Sequence, residues 1–399
     1  MLLRLEDVIG TGGYSRVYSA RVASPHSMAS TTVAVKRCWT DKKVNNPMLL
    51  HEACATLLVQ GHPAIPHIYA YGRSQCLEYI ALERLGPSID SSLREGGMLD
   101  MRGGLTMRNL IALTCQMVNS LPFPCVLTPD ESQLDAIDHV HSFGLVHCDI
   151  KPKNFLFDVN EASGLIKLID FGLAKRYCHP TSRVHVAKSV TIHRYGTVRY
   201  NSINMHMHHN PSRRDDMESL AYTAAELLCK DLPWSKLDDE DDDVFASKQT
   251  WSGPEICADY PSVFGEFIDY TRSLRFEENP DYEGWRTRFL SLAPEIQGAP
   301  LYLPSDRSRR VGKRRARLES KDVDRDRLLK SPISRASPSP PSLQIGETQL
   351  IPGTSWVHTS MIPDDELYGD EQKIVRESLE RIEAPPSDDI DGERMLCGF

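Results

Sequence analysis

The segment His147–Asn154, with the sequence HCDIKPKN, constrains this chain more than any other part of it. The carboxylate of Asp149 is followed by a lysine two residues later and by an amide five residues later. The triplet Asp170–Gly172 (DFG) comes sixteen residues after Asn154, directly behind the apolar strand-like run at 165–169. A D-F-G triplet is common by chance, but one that stands sixteen residues after this segment and behind a strand is not. The order and spacing of the two motifs therefore indicate that they act in one site.

A glycine turn and a lysine near the N-terminus add to this pattern. The turn Gly10–Ser15 (GTGGYS) lets backbone N–H groups approach phosphate oxygens without a Cβ in the way. Lys36 lies on the β-branched strand predicted at 31–37. Glu52 lies on the helix predicted at 47–60, where it could hold Lys36 by an ion pair.

Together these elements resemble the phosphate-covering loop, strand lysine, helix glutamate, catalytic loop and metal-binding D-F-G of protein kinases. The resemblance implies that Asp149 orients the substrate hydroxyl and that Lys151 neutralises charge on the transferred phosphate. It implies that Asn154 and Asp170 bind Mg2+ and that ATP is the phosphate donor. These residue types suit the reaction, because phosphoryl transfer depends on positioning and charge neutralisation.

The region after the D-F-G motif narrows the resemblance. Gly196–Asn204 (GTVRYNSIN) resembles the casein kinase I signature, in which S-I-N replaces A-P-E. Further segments fit the same family: Leu85–Ser88, Ser212–Leu220, Leu232–Trp234, Arg272–Phe276 and Pro280–Tyr282. The resemblance spans about residues 5–294, and it implies a Ser/Thr protein kinase that uses Mg-ATP.

The same resemblance assigns the remaining site residues. Leu82 is expected at the gatekeeper position, Glu83–Leu85 at the hinge that binds adenine, and Asp216 on a buried helix that anchors the catalytic loop. The implied ATP contacts are Ile9, Gly10, Thr11, Gly12, Gly13, Tyr14, Val17, Ala34, Lys36, Glu52, Leu82, Glu83 and Leu85.

Two departures bear on regulation and on substrate choice. Cys148 replaces the arginine that usually binds a phosphorylated activation loop. Arg199, with Lys188 and Arg194, is expected to recognise acidic or phosphorylated substrates. The acidic run at 238–243 occupies the predicted loop after Trp234, where it would oppose anionic substrates.

These observations predict an α+β, bilobal protein-kinase fold. Residues 1–294 would form the domain, with a β-rich N-lobe at about 1–85 and a mostly helical C-lobe at about 86–294. Residues 295–399 read as a disordered tail, since the basic block 307–317 and the Ser/Pro-rich stretch 331–342 offer little apolar surface to bury.

Composition bears on three questions: nucleic-acid binding, membrane insertion and cellular compartment. A net charge of −9 gives no support to general nucleic-acid binding. No run approaches the length of about 18 apolar residues that a membrane span requires. Protein substrates and a monomeric state are expected, with no membrane insertion. The scattered cysteines indicate a reducing compartment. The basic block suits nuclear import or an anionic partner, and a merely solvated segment is an equal alternative, so the cytoplasm, the nucleus or both are predicted.

The segment 118–133 (VNSLPFPCVLTPDESQ) interrupts an otherwise continuous helical pattern. Without it, Leu110, Leu113, Met117, Ile137 and Val140 form one apolar stripe at helical spacing. A natural surface insertion and a translated intron both remain open, because the codons that these residues require permit intron boundaries.

Two alternative functions remain. The first is a pseudokinase or scaffold, whose turnover the 118–133 segment impairs. The second is a small-molecule kinase, against which the long segment 170–204 argues, since it is suited to presenting a peptide.

Overall fold

The computed structural model describes most of the chain up to residue 311 and a short C-terminal strand. The described residues are 2–13, 15–23, 32–40, 48–73, 76–94, 104–118, 136–160, 163–191, 195–237, 241–296, 298–306, 308, 310–311 and 394–396. The chain divides into two units, and every described residue belongs to the first, which comprises residues 1–312 and 362–399.

An antiparallel sheet and one helix form the first part of the molecule. Six strands follow the order β10-β1-β2-β3-β5-β4, and helix α1 (Met48–Val59) connects β3 to β4. The strands are β1 (Leu2–Thr11), β2 (Ser15–Ala23), β3 (Thr32–Trp39), β4 (Ile68–Arg73), β5 (Leu77–Glu83) and β10 (Arg394–Leu396). The predicted β-rich first part with one main helix is confirmed. Strand β10, which pairs with the start of β1, was not predicted.

The alternation of side chains along β3 decides which residues face the site. Val33 and Val35 are fully buried in a cluster with residues of β1, β2, β4 and β5. Since successive side chains of a strand point to opposite faces, Ala34 and Lys36 lie on the other face. Leu49 and other apolar residues of α1 pack on the sheet. The apolar core thereby sets Lys36 and helix α1 beside each other.

The second part of the molecule is mainly helical. Four short strands form two antiparallel pairs: β6 (Leu145–Val146) with β9 (Lys175–Arg176), and β7 (Phe155–Phe157) with β8 (Ile166–Leu168). The helices are α2 (Ile89–Arg94), α3 (Met107–Val118), α4 (Ala136–Ser142), α5 (Ile203–His206), α6 (Arg213–Cys229), α7 (Asp241–Thr250), α8 (Gly253–Ile256), α9 (Ser262–Ser273) and α10 (Tyr282–Leu290). Among the described residues, no helix combines the length and hydropathy that crossing a membrane requires.

The folded body continues beyond residue 294, where the sequence places the domain boundary. The amide of Tyr302 donates a 3.0 Å hydrogen bond to the carbonyl of Gly164, and the Tyr302 ring packs on Phe157 at 5.1 Å between centroids. The amide of Val311 donates to the carbonyl of Leu105 at 2.7 Å. These contacts join described residues as far as 311 to the rest of the folded body. Most of the predicted tail lies outside the described residues.

Two helices lie on either side of the 118–133 segment, before the loop that carries Asp149. Helix α3 ends at Val118 and α4 begins at Ala136, and the two helices pack together. All five members of the predicted apolar stripe are buried: Leu110, Leu113, Met117, Ile137 and Val140. Most of the 118–133 segment lies outside the described residues. Its three prolines would cost about 3 kcal/mol each inside a helix.

Deleting residues 118–133 should raise the melting temperature, because Leu134 would follow Met117 and let one helix continue into α4. The expected rise is about 2–4 °C for each kcal/mol gained. Thermal unfolding followed by circular dichroism measures it. A control that lacks residues 331–346 should melt like the parent. A deletion variant that melts no higher than the parent would show that the interruption does not strain the fold.

Candidate active site

Three neighbouring strands bring the glycine turn and Lys36 together. In the antiparallel registers, Gly10 lies opposite Val17, and Val17 lies opposite Lys36. A methyl group added at Gly13 would meet no atom within 4 Å, so the turn has open space beside it. Tyr14, another predicted ATP contact, lies outside the described residues. The geometry suits a turn whose backbone covers phosphate groups close to a lysine.

Partly exposed apolar side chains line the same face of the sheet. Ala34 lies opposite Leu82 in the β3–β5 register. Val17, Ala34 and Leu82 are each partly buried, while Ile9 and Thr11 on β1 are more exposed. Such a surface suits the flat, apolar faces of a purine base.

Lys36 joins α1 to the D-F-G segment through two ion pairs. Its Nζ lies 2.7 Å from Oε2 of Glu52 and 2.8 Å from Oδ1 of Asp170. Burial lowers the pKa of Lys36, but the two carboxylates outweigh burial and raise that pKa above its ordinary value. Burial by itself would raise the pKa of Asp170. The charge and the hydrogen bond of Lys36 act against burial, and that pKa is held below its usual range. A protonated lysine is therefore held in one place beside an ionised Asp170.

Asp149 lies at the centre of a second network. Its Oδ2 accepts a 2.6 Å hydrogen bond from Lys151 Nζ, and its Oδ1 accepts a 2.8 Å bond from Thr197 Oγ1. Lys151 Nζ also donates to Thr197 Oγ1 at 2.9 Å. The side-chain nitrogen Nδ2 of Asn154 donates to the backbone carbonyl of Asp149 at 2.8 Å. One carboxylate and one ammonium are thus fixed together, and all three predicted catalytic residues meet.

The oxygen ligands of Asn154 and Asp170 fit a magnesium ion. Because the Asn154 nitrogen faces Asp149, its Oδ1 is left for another partner. Within the described part of the chain, no group donates a hydrogen bond to Asn154 Oδ1 or to Asp170 Oδ2. Amide and carboxylate oxygens are the ligands that Mg2+ prefers. Asp170 also has a left-handed backbone with φ of 69°, a conformation that non-glycine residues seldom adopt outside functional sites.

Asp216 holds the catalytic loop from helix α6. Its Oδ2 accepts from the amide of His147 at 2.6 Å, and its Oδ1 accepts from the amide of Cys148 at 2.8 Å. His141 Nε2 lies 2.9 Å from Oδ2. Although burial acts to raise the pKa of Asp216, these hydrogen bonds and the nearby histidines lower it. The expected anchoring contact is present, directly before Asp149.

In the predicted hinge, Glu83–Leu85, the side chain of Glu83 and the backbone of Leu85 have different contacts. The Glu83 carboxylate lies 2.7 and 2.8 Å from Lys167 Nζ and accepts from the amide of His67 at 3.0 Å. Leu85 is buried. Within the residues that the structure describes, the amide of Leu85 donates to no acceptor. The backbone of the hinge can therefore pair with the edge of a base, while the side chain of Glu83 fixes the end of β5.

A cavity of about 240 Å³ opens beside Asp149. It is lined by Asp90, Arg94, Lys151, Lys153, Thr197, Arg199 and Tyr200. Four of these residues are cationic and one is anionic, so the cavity suits a peptide segment that carries some negative charge.

The three cations predicted for substrate anions have different surroundings. Arg199 lines the cavity, but its Nη1 lies 3.1 Å from Oε1 of Glu226 and its Nη2 donates to the Ser235 carbonyl at 3.0 Å. Lys188 is exposed, and Arg194 lies outside the described residues. Glu226 therefore competes with any substrate anion for the charge of Arg199.

The acidic run at 238–243 was predicted as a loop, and the described part of it is helical. Residues 238–240 lie outside the description, whereas 241–243 form the first turn of α7. Asp242 and Asp243 are exposed there. Acidic residues in the first turn stabilise a helix through its dipole, so this part of the run has a structural role of its own.

An apolar cluster surrounds Cys148, where a basic group is usual in the resembled family. The thiol is buried with Tyr177, Cys178, Tyr195 and Met205. Burial raises the pKa of Cys148 well above its ordinary value, so the thiol stays neutral. A phosphate on the activation segment would find no charged partner at this position.

Thr197 and Glu226 are site residues that the sequence analysis did not assign. Thr197 follows Gly196, whose φ is 73°. A Cβ there would lie 2.5 Å from the Cys148 carbonyl oxygen, so glycine is required for this close approach. That glycine was the only available signal, because 48 residues separate Asp149 from Thr197. For Glu226 no sequence signal exists.

Comparison with known families supports a protein kinase. Residues 130–262 match the family model for the protein kinase domain. The match covers 133 of the 399 residues and includes the catalytic loop, the D-F-G segment and helix α6. It supports a protein kinase, and the antiparallel sheet with its helices fits that fold.

Two adjacent aspartates on α6 should respond differently to pH. Burial raises the pKa of Asp215 to about 6, although Ser202 and Ser212 donate hydrogen bonds to it, whereas the pKa of Asp216 is lowered. A raised folded-state pKa means that the folded protein binds the extra proton, so Asp215 contributes more stability as pH falls from 7 to 5. The destabilisation caused by Asp215→Asn should therefore grow by about 1 kcal/mol over this range.

Asp216→Asn is the matched comparison. The pKa of the Asp216 carboxyl lies below 5 in both the folded and the unfolded protein. The loss of unfolding free energy caused by Asp216→Asn should therefore stay constant between pH 7 and pH 5. Urea unfolding at each pH measures both variants. Equal pH dependence of the two variants would contradict the different environments of these carboxylates.

Proposed function

We propose that this chain is a Ser/Thr protein kinase of the casein kinase I type, which transfers the γ-phosphate of ATP to hydroxyl groups of protein substrates. One observation carries the proposal: Asp149, Lys151 and Thr197 form a hydrogen-bonded set, while Lys36, Glu52 and Asp170 form a separate ion-paired set. The first suits an acceptor hydroxyl and the second suits a nucleotide triphosphate.

Each residue has a defined task in this proposal. Asp149 accepts a hydrogen bond from the substrate hydroxyl and orients its oxygen. Lys151 offsets negative charge on the group being transferred, and Lys36 holds the nucleotide phosphates. Asn154 and Asp170 hold Mg2+, which when bound neutralises phosphate charge. Because both networks are already formed, little reorganisation is required before the reaction.

The acceptor segment is proposed to contact the cavity beside Asp149. Arg94 and Lys153 provide positive charge there, while Glu226 neutralises Arg199. We expect a weaker preference for phosphorylated substrates than Arg199 by itself implies. The proposal places the protein in the cytoplasm or the nucleus, with residues 307–317 as the import signal.

Asp149→Asn should reduce phosphate transfer at least about 100-fold, because general acid–base groups typically contribute that much. The parent should turn over at about 1–100 per second. Transfer of labelled phosphate from ATP to casein and to a basic protein measures both. Nucleotide affinity should be unchanged, because Asp149 contacts the hydroxyl side of the site.

Asp158→Asn is the matched control and should keep the parent's activity. Asp158 follows β7 and belongs neither to the hydrogen-bonded set around Asp149 nor to the ion pairs of Lys36. Equal incorporation by the parent and Asp149→Asn would refute the catalytic assignment. A folded parent that binds ATP but transfers no phosphate would favour the pseudokinase alternative.

Activity should not depend on phosphorylation of the activation segment, because a neutral, buried thiol at Cys148 stands where an arginine usually binds such a phosphate. Lys175, whose charge acts on Cys148, donates to the hydroxyl of Tyr195 at 2.6 Å. The purified protein is treated with a phosphatase, checked by mass spectrometry and assayed after the phosphatase is removed. Its specific activity should stay within about twofold of the untreated protein. A large loss that maps to residues 170–204 would contradict this expectation.

A further inference from the structure

Glu78 is a buried carboxylate that the proposed chemistry does not use. It lies on strand β5 and is fully buried. Its Oε2 accepts from the amide of Leu49 at 3.3 Å, and its Oε1 accepts from the amide of Leu50 at 3.2 Å. The hydroxyl of Tyr71 donates to Oε1 at 2.8 Å, and the thiol of Cys38 lies 3.6 Å from Oε2. Each oxygen thus receives one helix amide and one side-chain donor.

The two amides belong to the first turn of helix α1. The first four N–H groups of any helix have no acceptor within the helix. They also form the positive end of the helix dipole, which favours a nearby anion. A residue just before a helix usually supplies this acceptor. Here a glutamate from a different part of the chain supplies it, so the contact fixes the start of α1 to the sheet as well as capping it.

The side-chain donors keep their protons. Burial raises the pKa of the Cys38 thiol to about 12, and the charge of Glu78 adds to this effect. Burial together with Glu78 also raises the pKa of Tyr71. Burial raises the pKa of Glu78 itself, while its four donors act in the opposite direction. The arrangement is a built acceptor site with every oxygen occupied.

The contact lies directly behind the Lys36 ion pairs. Glu78 is opposite Cys38 in the β3–β5 register, and Cys38 is two residues from Lys36 on the same strand. On the helix, Leu49 is three residues before Glu52. The capping contact therefore joins the two elements that carry Lys36 and Glu52, close to the point where those side chains meet.

We propose that Glu78 is a positioning residue, which holds helix α1 so that Glu52 stays paired with Lys36. This inference rests on the proposed kinase function for its catalytic consequence only. Glu78 does not touch nucleotide or substrate in this proposal. It acts through the helix, and its loss should let Glu52 withdraw from Lys36.

Glu78→Gln is the direct test, because the glutamine amide puts an NH2 donor in place of one of the two oxygens that accept from the helix N–H groups. Hydrogen bonds to a charged group contribute about 1.5–3 kcal/mol, so kcat/KM for ATP should fall about tenfold or more. The KM for the protein substrate should stay within about twofold, since Glu78 lies on the nucleotide side. Tyr71→Phe removes one donor without touching the helix and should give a smaller fall in the same direction.

A second substitution separates positioning from general destabilisation. In a Glu52→Gln background the ion pair is already lost, so adding Glu78→Gln should change kcat/KM less than about twofold. An equal fall in both backgrounds would overturn the proposal, because a merely structural residue would act in each. Asp281→Ala, which removes the carboxylate cap of the distant helix α10, is the control for loss of a helix cap and should leave kcat/KM unchanged.

Hydrogen exchange tests the contact independently of catalysis. Glu78→Gln should speed exchange of the amides in the first turns of α1 about tenfold, and leave those of α9 unchanged. Unchanged exchange in α1 would overturn the positioning role even if the protein is an active kinase. Faster exchange in a protein that transfers no phosphate would support the contact and refute the proposed function instead. If Glu78→Gln does not fold, the same measurements on Tyr71→Phe decide the outcome.

Discussion

The ion pairs of Lys36 are the contacts on which the rest of the site depends. They connect strand β3, helix α1 and the D-F-G segment, three elements that are far apart in the chain. The buried Lys36–Glu52 pair adds little net stability, since desolvation offsets its attraction, whereas a buried charge left without any partner costs about 3–5 kcal/mol. The network therefore contributes fixed geometry more than stability, and the surrounding structure must supply the stability.

The structure around the site also holds two unfavourable backbone conformations in place. Cys148 and Asp170 both have positive φ, at 66° and 69°, although neither is glycine. Such conformations persist where neighbours over-determine them. The carboxylate of Asp216 binds the amides of His147 and Cys148, and the Phe171 ring packs on His147 at 5.0 Å. Helix α6 thus fixes the loop that carries Asp149, and α1 fixes the opposite side of the site.

Charge on the substrate side is largely compensated within the protein. Lys151 pairs with Asp149, and Arg199 pairs with Glu226. The Lys248 ammonium is fully buried and donates to the carbonyls of Val198 and Asn201 at 2.9 and 2.6 Å, which holds the backbone next to Arg199. In the proposed kinase, the shape of the substrate and the position of its hydroxyl would therefore matter more than its charge.

The sequence predicted a first part made of strands with one main helix, although not strand β10, because these elements follow from local patterns. Alternating apolar residues identify β3 before any contact is known, and proline excludes helix wherever it stands. The catalytic loop and the D-F-G triplet could be recognised for a related reason. Their spacing is short, and the chemistry requires particular residue types at each position.

By itself, then, the sequence determined the elements and the catalytic residues that lie within one motif, such as Asp149, Lys151 and Asn154. Only the tertiary structure decided which distant side chains complete them. Thr197 donates a hydrogen bond to Asp149, Glu226 forms an ion pair with Arg199, and Glu78 caps α1. Each of these pairs is far apart in the chain. A carboxylate has the same local signature whether it is solvated, pairs with a cation or caps a helix. Burial and the donors around it decide among these roles, and both arise only when the chain is folded.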